Sequence, residues 1–242
     1  EVELVEREEE AGGQLRAASR PPGKEPYAEW AEWAERRLRS LGIEIKLGKE
    51  AGAETLKDGN WRGIIAATGA KPVVPSLPGA EYDINAEARE VLLGKRKAGK
   101  RVLIVGAGPV GMETANYLIQ KGCRVIVVEE MDHSPVIPLT SHGSYLHRVL
   151  RKKGELLLNT RVVRVTSGGA VISTRGKERE IEVDNVVWAV GSAPELEVVE
   201  AARDLGMEVK VVGDAVEPRQ MLEAVHEGYE AAREFLELSP GR

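Results

Sequence analysis

Apolar positions along this chain follow two rhythms, helical and alternating, and their succession predicts an α/β fold. Across residues 26–41, Trp30, Trp33, Ala34, Leu38 and Leu41 recur at helical spacing, and Gly42 stands where a left-handed cap belongs. That pattern predicts an amphipathic helix with both tryptophans facing a core. Before it, Val2-Glu3-Leu4-Val5-Glu6 reads as the end of a strand. After it, Ile43-Glu44-Ile45-Lys46-Leu47 alternates as a strand, and Gly63–Ala67 gives a second apolar run. Pro72, Pro75 and Pro78 make residues 70–80 a linker unable to continue a sheet or helix, so a second domain is expected to begin near residue 81.

That second section opens with a helix, then Arg101–Val105 as a buried strand, a glycine-rich turn, a helix over 109–121 and a strand over Arg124–Val128. A βαβ start of this kind predicts a parallel sheet. Residues 144–153 form a further helix, 161–166 and 170–174 pair as strands, and Val183–Val190 is the last strong apolar run. Beyond it, Lys210–Val212 and Gly213-Asp214 precede a helix over 218–237.

The two sections repeat one another. Val2–Glu6 resembles Val125–Glu129, and Ile65-Ala66-Ala67-Thr68-Gly69 resembles Val187-Trp188-Ala189-Val190-Gly191. Short Val/Ile runs recur in every parallel sheet, but the interval from Glu6 to Gly69 matches that from Glu129 to Gly191 to within one residue. Two related nucleotide-binding units follow from that agreement.

Candidate chemistry concentrates in Gly106-Ala107-Gly108-Pro109-Val110-Gly111, a GxGxxG that follows a predicted strand, opens a predicted helix and has Glu129 at the end of the next strand. Gly106 allows the tight turn, Gly108 lets the backbone approach a pyrophosphate at the helix N-terminus, and Gly111 lets helix and strand pack closely. Glu129 is placed to accept hydrogen bonds from ribose hydroxyls. A carboxylate there repels a 2′-phosphate, which favours NADH over NADPH, with Glu130 and Arg124 as further charges beside the pocket. The first unit keeps the corresponding acid, Glu6, but the matching glycine loop would fall before residue 1, so the chain reads as cut from something longer. Weak or absent nucleotide binding by that first unit is expected.

Composition narrows the alternatives. The chain has 242 residues, 30% of them charged, and a net charge of −5 with no basic stripe, which argues against nucleic acid as a partner. A single cysteine, Cys123, excludes an internal disulfide, a CxxC pair and a cysteine-built metal or iron–sulfur site, and reads as a small apolar residue before a strand. His133, His142, His147 and His226 lack metal-ligand spacing, so no metal site and no catalytic acid or base is assigned. Glu113, just past the glycine loop, is an acid in the first turn of the predicted helix, where it complements the helix dipole. No apolar run is long enough to span a bilayer and no leader opens the sequence, so a cytoplasmic protein with no membrane contact is expected.

Taken in order, Glu6-Arg7, Gly12-Gly13-Gln14-Leu15, Ala67-Thr68-Gly69, Gly106–Gly111 and Gly213-Asp214 resemble the two-dinucleotide-binding flavoprotein reductases. More narrowly, LVEREEEAGGQLRAASRPPGKE, VLIVGAGPVGMETA and VVGDAVEPRQMLEAVHEGYEAAREF resemble the C-terminal FAD/NAD(P)-binding region of the 2,4-dienoyl-CoA reductase, NADH oxidase and trimethylamine dehydrogenase family. The resemblance implies a Rossmann-like NAD(P)H-binding domain, residues 81–194, inserted in an incomplete Rossmann-like FAD-binding domain, residues 1–80 and 195–242. It implies that Gly106, Gly108, Pro109, Val110, Gly111, Glu129, Glu130 and Gly191 serve NAD(P)H. For FAD, it implies that Glu6 and Arg7 lie at the ribose, Gln14 and Leu15 near the flavin, Ala67-Thr68-Gly69 in the turn, and Gly213 and Asp214 at the ribityl chain. The helix beginning near Met221 would point its positive end at the isoalloxazine.

In such families NAD(P)H passes a hydride to FAD, and electrons continue through an iron–sulfur cluster to FMN in an N-terminal barrel. Neither cluster nor barrel lies in this chain, so a missing barrel domain or partner subunit is expected and the isolated chain is expected to be inactive. The competing expectation is a non-catalytic module that holds a nucleotide such as ADP, or a subunit completed by a partner at the sheet edge left open by the missing strand.

Overall fold

The computed structural model describes residues 2–57, 59 and 61–237. In chain order the first elements are β1 (Glu3–Val5), α1 (Gln14–Ala18), α2 (Pro26–Ser40), β2 (Glu44–Lys46), α3 (Ala53–Lys57), β3 (Gly63–Ala66) and β4 (Ala70–Pro72). There follow β5 (Asn85–Glu87), α4 (Ala88–Leu93), β6 (Arg101–Val105), α5 (Pro109–Gln120), β7 (Arg124–Val128), α6 (Ser141–Lys153) and β8 (Gly154–Leu157). The chain continues through β9 (Thr160–Thr166), β10 (Gly169–Thr174), β11 (Lys177–Glu182), β12 (Asn185–Trp188), β13 (Ser192–Pro194), α7 (Glu197–Asp204), β14 (Glu208–Val211) and, after a 3₁₀ turn at Gly213–Ala215, α8 (Met221–Glu237). These elements form two compact units: Glu1–Ala11, Leu38–Pro72 and Gly191–Arg242 in one, Gly12–Arg37 and Val73–Val190 in the other.

The unit containing residues 73–190 is built on a five-stranded sheet of order β5-β12-β6-β7-β8, parallel throughout. Its strands read as unbroken apolar runs because both faces are covered. Side chains alternate across the sheet with the period of two that a pleated strand imposes. Val102 and Ile104 of β6, with Val125 and Val127 of β7, pack with Met112, Ala115, Leu118 and Ile119 of α5 and Leu146 and Leu150 of α6. Leu103, Val105 and Val128 face the other way, onto Val165, Ala170, Ile172 and Ile181 of the antiparallel sheet β9-β10-β11. A three-stranded meander therefore covers the face opposite α5 and α6.

The other unit has a thinner core. Leu56 and Ala66 pack on Val198, Val199 and Ala202 of α7, with Ile64, Val209 and Val211 half-buried around them. Its parallel strands occur as two separate pairs, β1 with β2 and β3 with β14, and an antiparallel pair joins β4 to β13.

Three sequence expectations are corrected. Trp30 and Trp33 do not face a core: they are 42% and 54% exposed, and the buried residue of α2 is Ala31. A methyl group suits that contact because Gly12 lies against it, its missing Cβ placed 2.8 Å from the Ala31 Cβ. The stretch 70–80 is not wholly irregular, since Ala70–Pro72 pairs antiparallel with Ser192–Pro194. A two-stranded ladder is all edge, and Pro72 closes its own end of it, where the missing N–H costs no central hydrogen bond. Finally, a strand, Asn85–Glu87, precedes the helix predicted after residue 81.

Candidate functional site

Apart from Gln14 and Leu15, the candidate site residues lie at one kind of place, the carboxyl ends of parallel strands, where open α/β sheets bind ligands. In the larger unit β6 runs into Gly106, β7 into Glu129 and β12 into Ala189 and Val190, while Gly191 opens the last segment of the other unit. In the other unit β1 runs into Glu6, β3 into Ala67–Gly69 and β14 into Gly213 and Asp214.

The glycine loop is shaped by close backbone approach. Gly106 has φ of 103°, and a Cβ there would sit 2.4 Å from the carbonyl oxygen of Ala189. A Cβ on Gly111 would lie 1.9 Å from the Gly106 carbonyl oxygen, so helix α5 meets the strand end only because residue 111 has no side chain. Gly108, the N-cap of α5, faces open space, with no atom within 4 Å of an added Cβ and no side chain capping the helix. Pro109 fills the first helical position, where no N–H is needed, and the next amides, of Val110 and Gly111, have no partner within the helix. Val110 is exposed beside them. An uncapped helix start of twelve residues with a cleared approach fits the pyrophosphate of a dinucleotide.

Glu129 ties this loop to the neighbouring strand. Its side chain is buried at 8% exposure, Oε2 accepts from the Ala107 N–H at 2.8 Å, and Oε1 accepts from the Met131 N–H at 3.1 Å. An ionised carboxylate has about four acceptor positions, so two remain for ribose hydroxyls. Glu130 is exposed next to it. Ser134 adds a clamp invisible in the motif: its hydroxyl donates to the Ala107 carbonyl at 2.7 Å and accepts from the Val136 N–H at 3.1 Å. The residues present therefore fit NAD(P)H.

Glu113, one turn into α5, is held by two side chains from other elements. Lys24 Nζ is 2.7 Å and His142 Nε2 is 2.9 Å from the same oxygen, Oε1. The remaining histidines are structural or exposed: His147 Nε2 lies 2.9 Å from the Val136 carbonyl, His133 pairs with Asp132 at 2.6 Å, and His226 is exposed. Cys123 donates to the Gly99 carbonyl at 3.3 Å, and its partial burial pushes the thiol pKa up. Among the described residues no group of His, Cys, Asp or Glu is arranged to hold a metal ion. Among them, too, no helix is long and apolar enough to cross a membrane.

In the smaller unit, Glu6 continues the β1 ladder through its N–H to the Lys46 carbonyl at 2.9 Å, and its Oε1 accepts from the Glu8 N–H at 3.0 Å. Thr68 donates its hydroxyl to the Glu195 carbonyl at 2.6 Å, and the Glu195 N–H donates to Gly69 at 2.9 Å, fixing the 67–69 turn against β13. The buried Glu195 carboxylate has Lys71 Nζ at 2.8 Å and Arg7 Nη1 at 4.0 Å, neither aligned as a hydrogen-bond donor to its Oε2. At the 213–215 turn the Gly213 N–H donates to Glu227 Oε2 at 2.7 Å, holding that carboxyl below the usual carboxylate range with help from the Arg219 guanidinium. Asp214 Oδ1 accepts from the Arg219 N–H at 3.0 Å.

Gln14 and Leu15 begin α1, which is grouped with the larger unit. The smaller unit thus presents an acid, a turn and an aspartate at three strand ends, with no glycine loop among its described residues. It fits part of an FAD cradle. Lys24, His142, Ser134, Glu195 and Glu227 carry no motif of their own in the sequence, since each acts through a backbone or carboxylate contact distant along the chain.

Comparison with known proteins agrees with this geometry. The family described as pyridine nucleotide-disulphide oxidoreductase matches residues 52–216. An NADH oxidase from Thermoanaerobacter brockii is 33% identical over 96% of this chain and 37% of its own length. A bilirubin reductase from Mediterraneibacter gnavus is 34% identical over 96% of this chain and 36% of its own. Among solved structures, a 2-naphthoyl-CoA reductase in complex with 2-naphthoyl-CoA superposes with a TM-score of 0.87 at 29% identity, covering 95% of this chain and 35% of that one. The chain thus spans little more than a third of each of these proteins.

Proposed function

Because this chain belongs to the pyridine nucleotide-disulphide oxidoreductase family, we propose that it is the NADH- and FAD-binding portion of a longer flavin-dependent oxidoreductase whose whole resembles an enoyl-CoA reductase or NADH oxidase. Members of the family bind FAD and NAD(P)H, and the relatives named above are oxidases and reductases. That company favours a redox role over a module that only holds a nucleotide. The observation that carries the reading is the β6–loop–α5 geometry, with Gly106, Gly108 and Gly111 clearing the approach and Glu129 buried at the loop with acceptor capacity to spare.

In this reading residues 81–194 bind NADH, and residues 1–80 with 195–242 make an FAD-binding-type domain that lacks one strand and its glycine loop. Support for the second part comes from the repeat. In the larger unit β6 lies between β7, which ends at Glu129, and β12. Their counterparts β1 and β3 each have a single partner, β2 and β14, among the described residues. A strand and helix equivalent to β6 and α5 would join the two pairs into one parallel sheet. The rest of the parent protein, a barrel domain or partner subunit carrying the final electron acceptor, belongs to the same proposal.

The chain's own residues bind and orient. The amides at the start of α5 hold the pyrophosphate, Glu129 accepts from the adenosine ribose, and its charge beside Glu130 disfavours a 2′-phosphate. When bound, FAD supplies the two-electron acceptor for a hydride. Hydride transfer between stacked rings needs alignment and no protein acid or base. The test is NADH titration followed by a visible spectrum after anaerobic incubation with FAD. Saturable NADH binding is expected. Bound flavin that bleaches on NADH addition carries the full reading, NADH binding by a colourless protein limits it to the larger unit, and no NADH binding overturns it.

A further inference from the structure

We propose that one apolar flank of α8, together with Ile65, is a docking face for an amphipathic helix of the parent protein. That helix follows a strand lying between β1 and β3, and both come from the segment ahead of residue 1. The proposal rests on the reading of residues 1–80 and 195–242 as an FAD-binding-type domain that lacks one strand, and names what completes it.

The sides of α8 differ in chemistry. On one, Ala224 packs on Gly213, Ala231 is buried, and the Phe235 ring lies against Gly63 of β3, where a Cβ would collide with it. On another, Glu227 Oε2 accepts from the Gly213 N–H at 2.7 Å, and Glu234 pairs with Lys210 of β14 at 2.6 Å. At about 3.6 residues per turn, the side opposite these two acids carries Leu222, Val225, Tyr229, Ala232 and Leu236, all exposed. Because the acids reach toward β14, the apolar side looks past β3, toward the edge of β3 that has no strand partner among the described residues. Ile65 continues the patch, since it shares with Gly63 the face of β3 that meets α8, and it is 38% exposed.

The larger unit shows what covers such a patch. Its sheet order β5-β12-β6-β7-β8 corresponds to β14-β3 and β1-β2 with the central strand left out. By that match α8, which follows β14, is the counterpart of α4, which follows β5. Ala88 and Val91 of α4 share a core with Met112 and Ala115 of α5. Val187, the counterpart of Ile65 in the repeat, lies in that same core at 0% exposure. The cover implied for α8 and Ile65 is therefore a helix placed as α5 is. Lengths agree, since Leu222 to Leu236 spans about 21 Å of helix and the twelve residues of α5 about 18 Å. A second copy of α8 suits the alternating spacing of three and four, but that spacing accounts neither for Ile65 nor for the free edges of β1 and β3.

Thiol labelling tests the proposal on this chain and on the parent protein, with Ile65→Cys, Tyr229→Cys and, away from the patch, Glu230→Cys. Peptide mapping counts the native Cys123 separately. All three are expected to label readily in this chain. In the parent protein Ile65→Cys and Tyr229→Cys are expected to slow at least about tenfold, while Glu230→Cys keeps its rate. Undiminished labelling of both in the parent, or protection of Tyr229→Cys alone, overturns the docking face. So does protection that grows in this chain as its concentration rises, which assigns the flank to a second copy. Hydrogen exchange on the unsubstituted proteins repeats the comparison: slower exchange along α8 in the parent is expected, and equal exchange overturns the proposal. The flavin spectrum of the parent separates the two readings. Bound flavin with both thiols reactive removes the docking face alone, and protected thiols without flavin remove the FAD assignment alone.

Discussion

Glu129 carries two duties that pull in the same direction. Its carboxylate satisfies the buried Ala107 N–H inside the glycine loop and the Met131 N–H beyond the strand, and in the proposed reading the acceptor capacity left over serves a ribose. Removing it costs structure as well as binding, because a buried N–H left without a partner costs about 1–3 kcal/mol. Glu129→Ala is therefore expected to lower the thermal midpoint and abolish measurable NADH binding. Glu129→Gln keeps one acceptor but turns an NH₂ toward a backbone N–H or the ribose. It is expected to weaken NADH while narrowing the gap between NADH and NADPH, since the repulsion of a 2′-phosphate is gone. Titrating both nucleotides against both variants checks this, and an unchanged NADH-to-NADPH ratio in Glu129→Gln would remove the ribose assignment.

At the scale of elements, the parallel sheet is pinned at its lower end by Asp184, just before β12. Oδ2 accepts from the Lys100 and Arg101 N–H groups, each at 2.8 Å, and Arg101 Nη2 lies 3.1 Å from Oδ1, joining the start of β12 to the start of β6. These donors, the Arg101 N–H foremost, hold the Asp184 carboxyl below the usual carboxylate range. A depressed folded-state pKa contributes stability that is present above the unfolded value and is lost as the pH falls through the folded one. The thermal midpoint is thus expected to decline on acidification through and below the ordinary aspartate range, and Asp184→Asn to show a lower midpoint at neutral pH with a shallower acid decline. Parallel pH series of the two proteins decide it, and superimposable slopes would count against the assignment.

Such contacts also show why some elements were legible in sequence and others were not. The βαβ start was legible because β6 and β7 are buried on both faces and α5 shows a helical apolar stripe, so burial writes itself into composition. Strands β8, β11 and β13 were not: β8 and β11 are edge strands, β11 is largely charged, β13 lies in a two-stranded ladder of three residues, and their pairing is set by partners distant along the chain. Trp30 and Trp33 misled for a related reason, since helical spacing reports a stripe without saying whether this chain covers it. Of the site, the glycine loop and Glu129 were readable as a motif with its context. Lys24, His142 and Ser134 were not, because their meaning depends on contacts across more than 25 residues.

Over the whole molecule, stability is unevenly distributed. The unit containing residues 73–190 has apolar clusters on both faces of a five-stranded sheet. The other unit holds one small cluster beside two separate two-stranded parallel pairs, so among the described residues each pair has no further strand along its outer edges. Regions with few buried apolar contacts open at lower free energy than the rest of a fold. Scanning calorimetry is therefore expected to show two transitions, the lower one belonging to the unit that contains residues 38–72. NADH binds only the folded form of the larger unit in this reading, and a ligand at a hundred times its Kd adds about 2.7 kcal/mol to the stability of the unit that holds it. Saturating NADH should then raise the upper transition and leave the lower one in place, whereas FAD should raise the lower one only to the extent that the smaller unit binds it. A single transition that shifts as a whole with NADH would mean that the two units unfold together and that the thin core is no weak point.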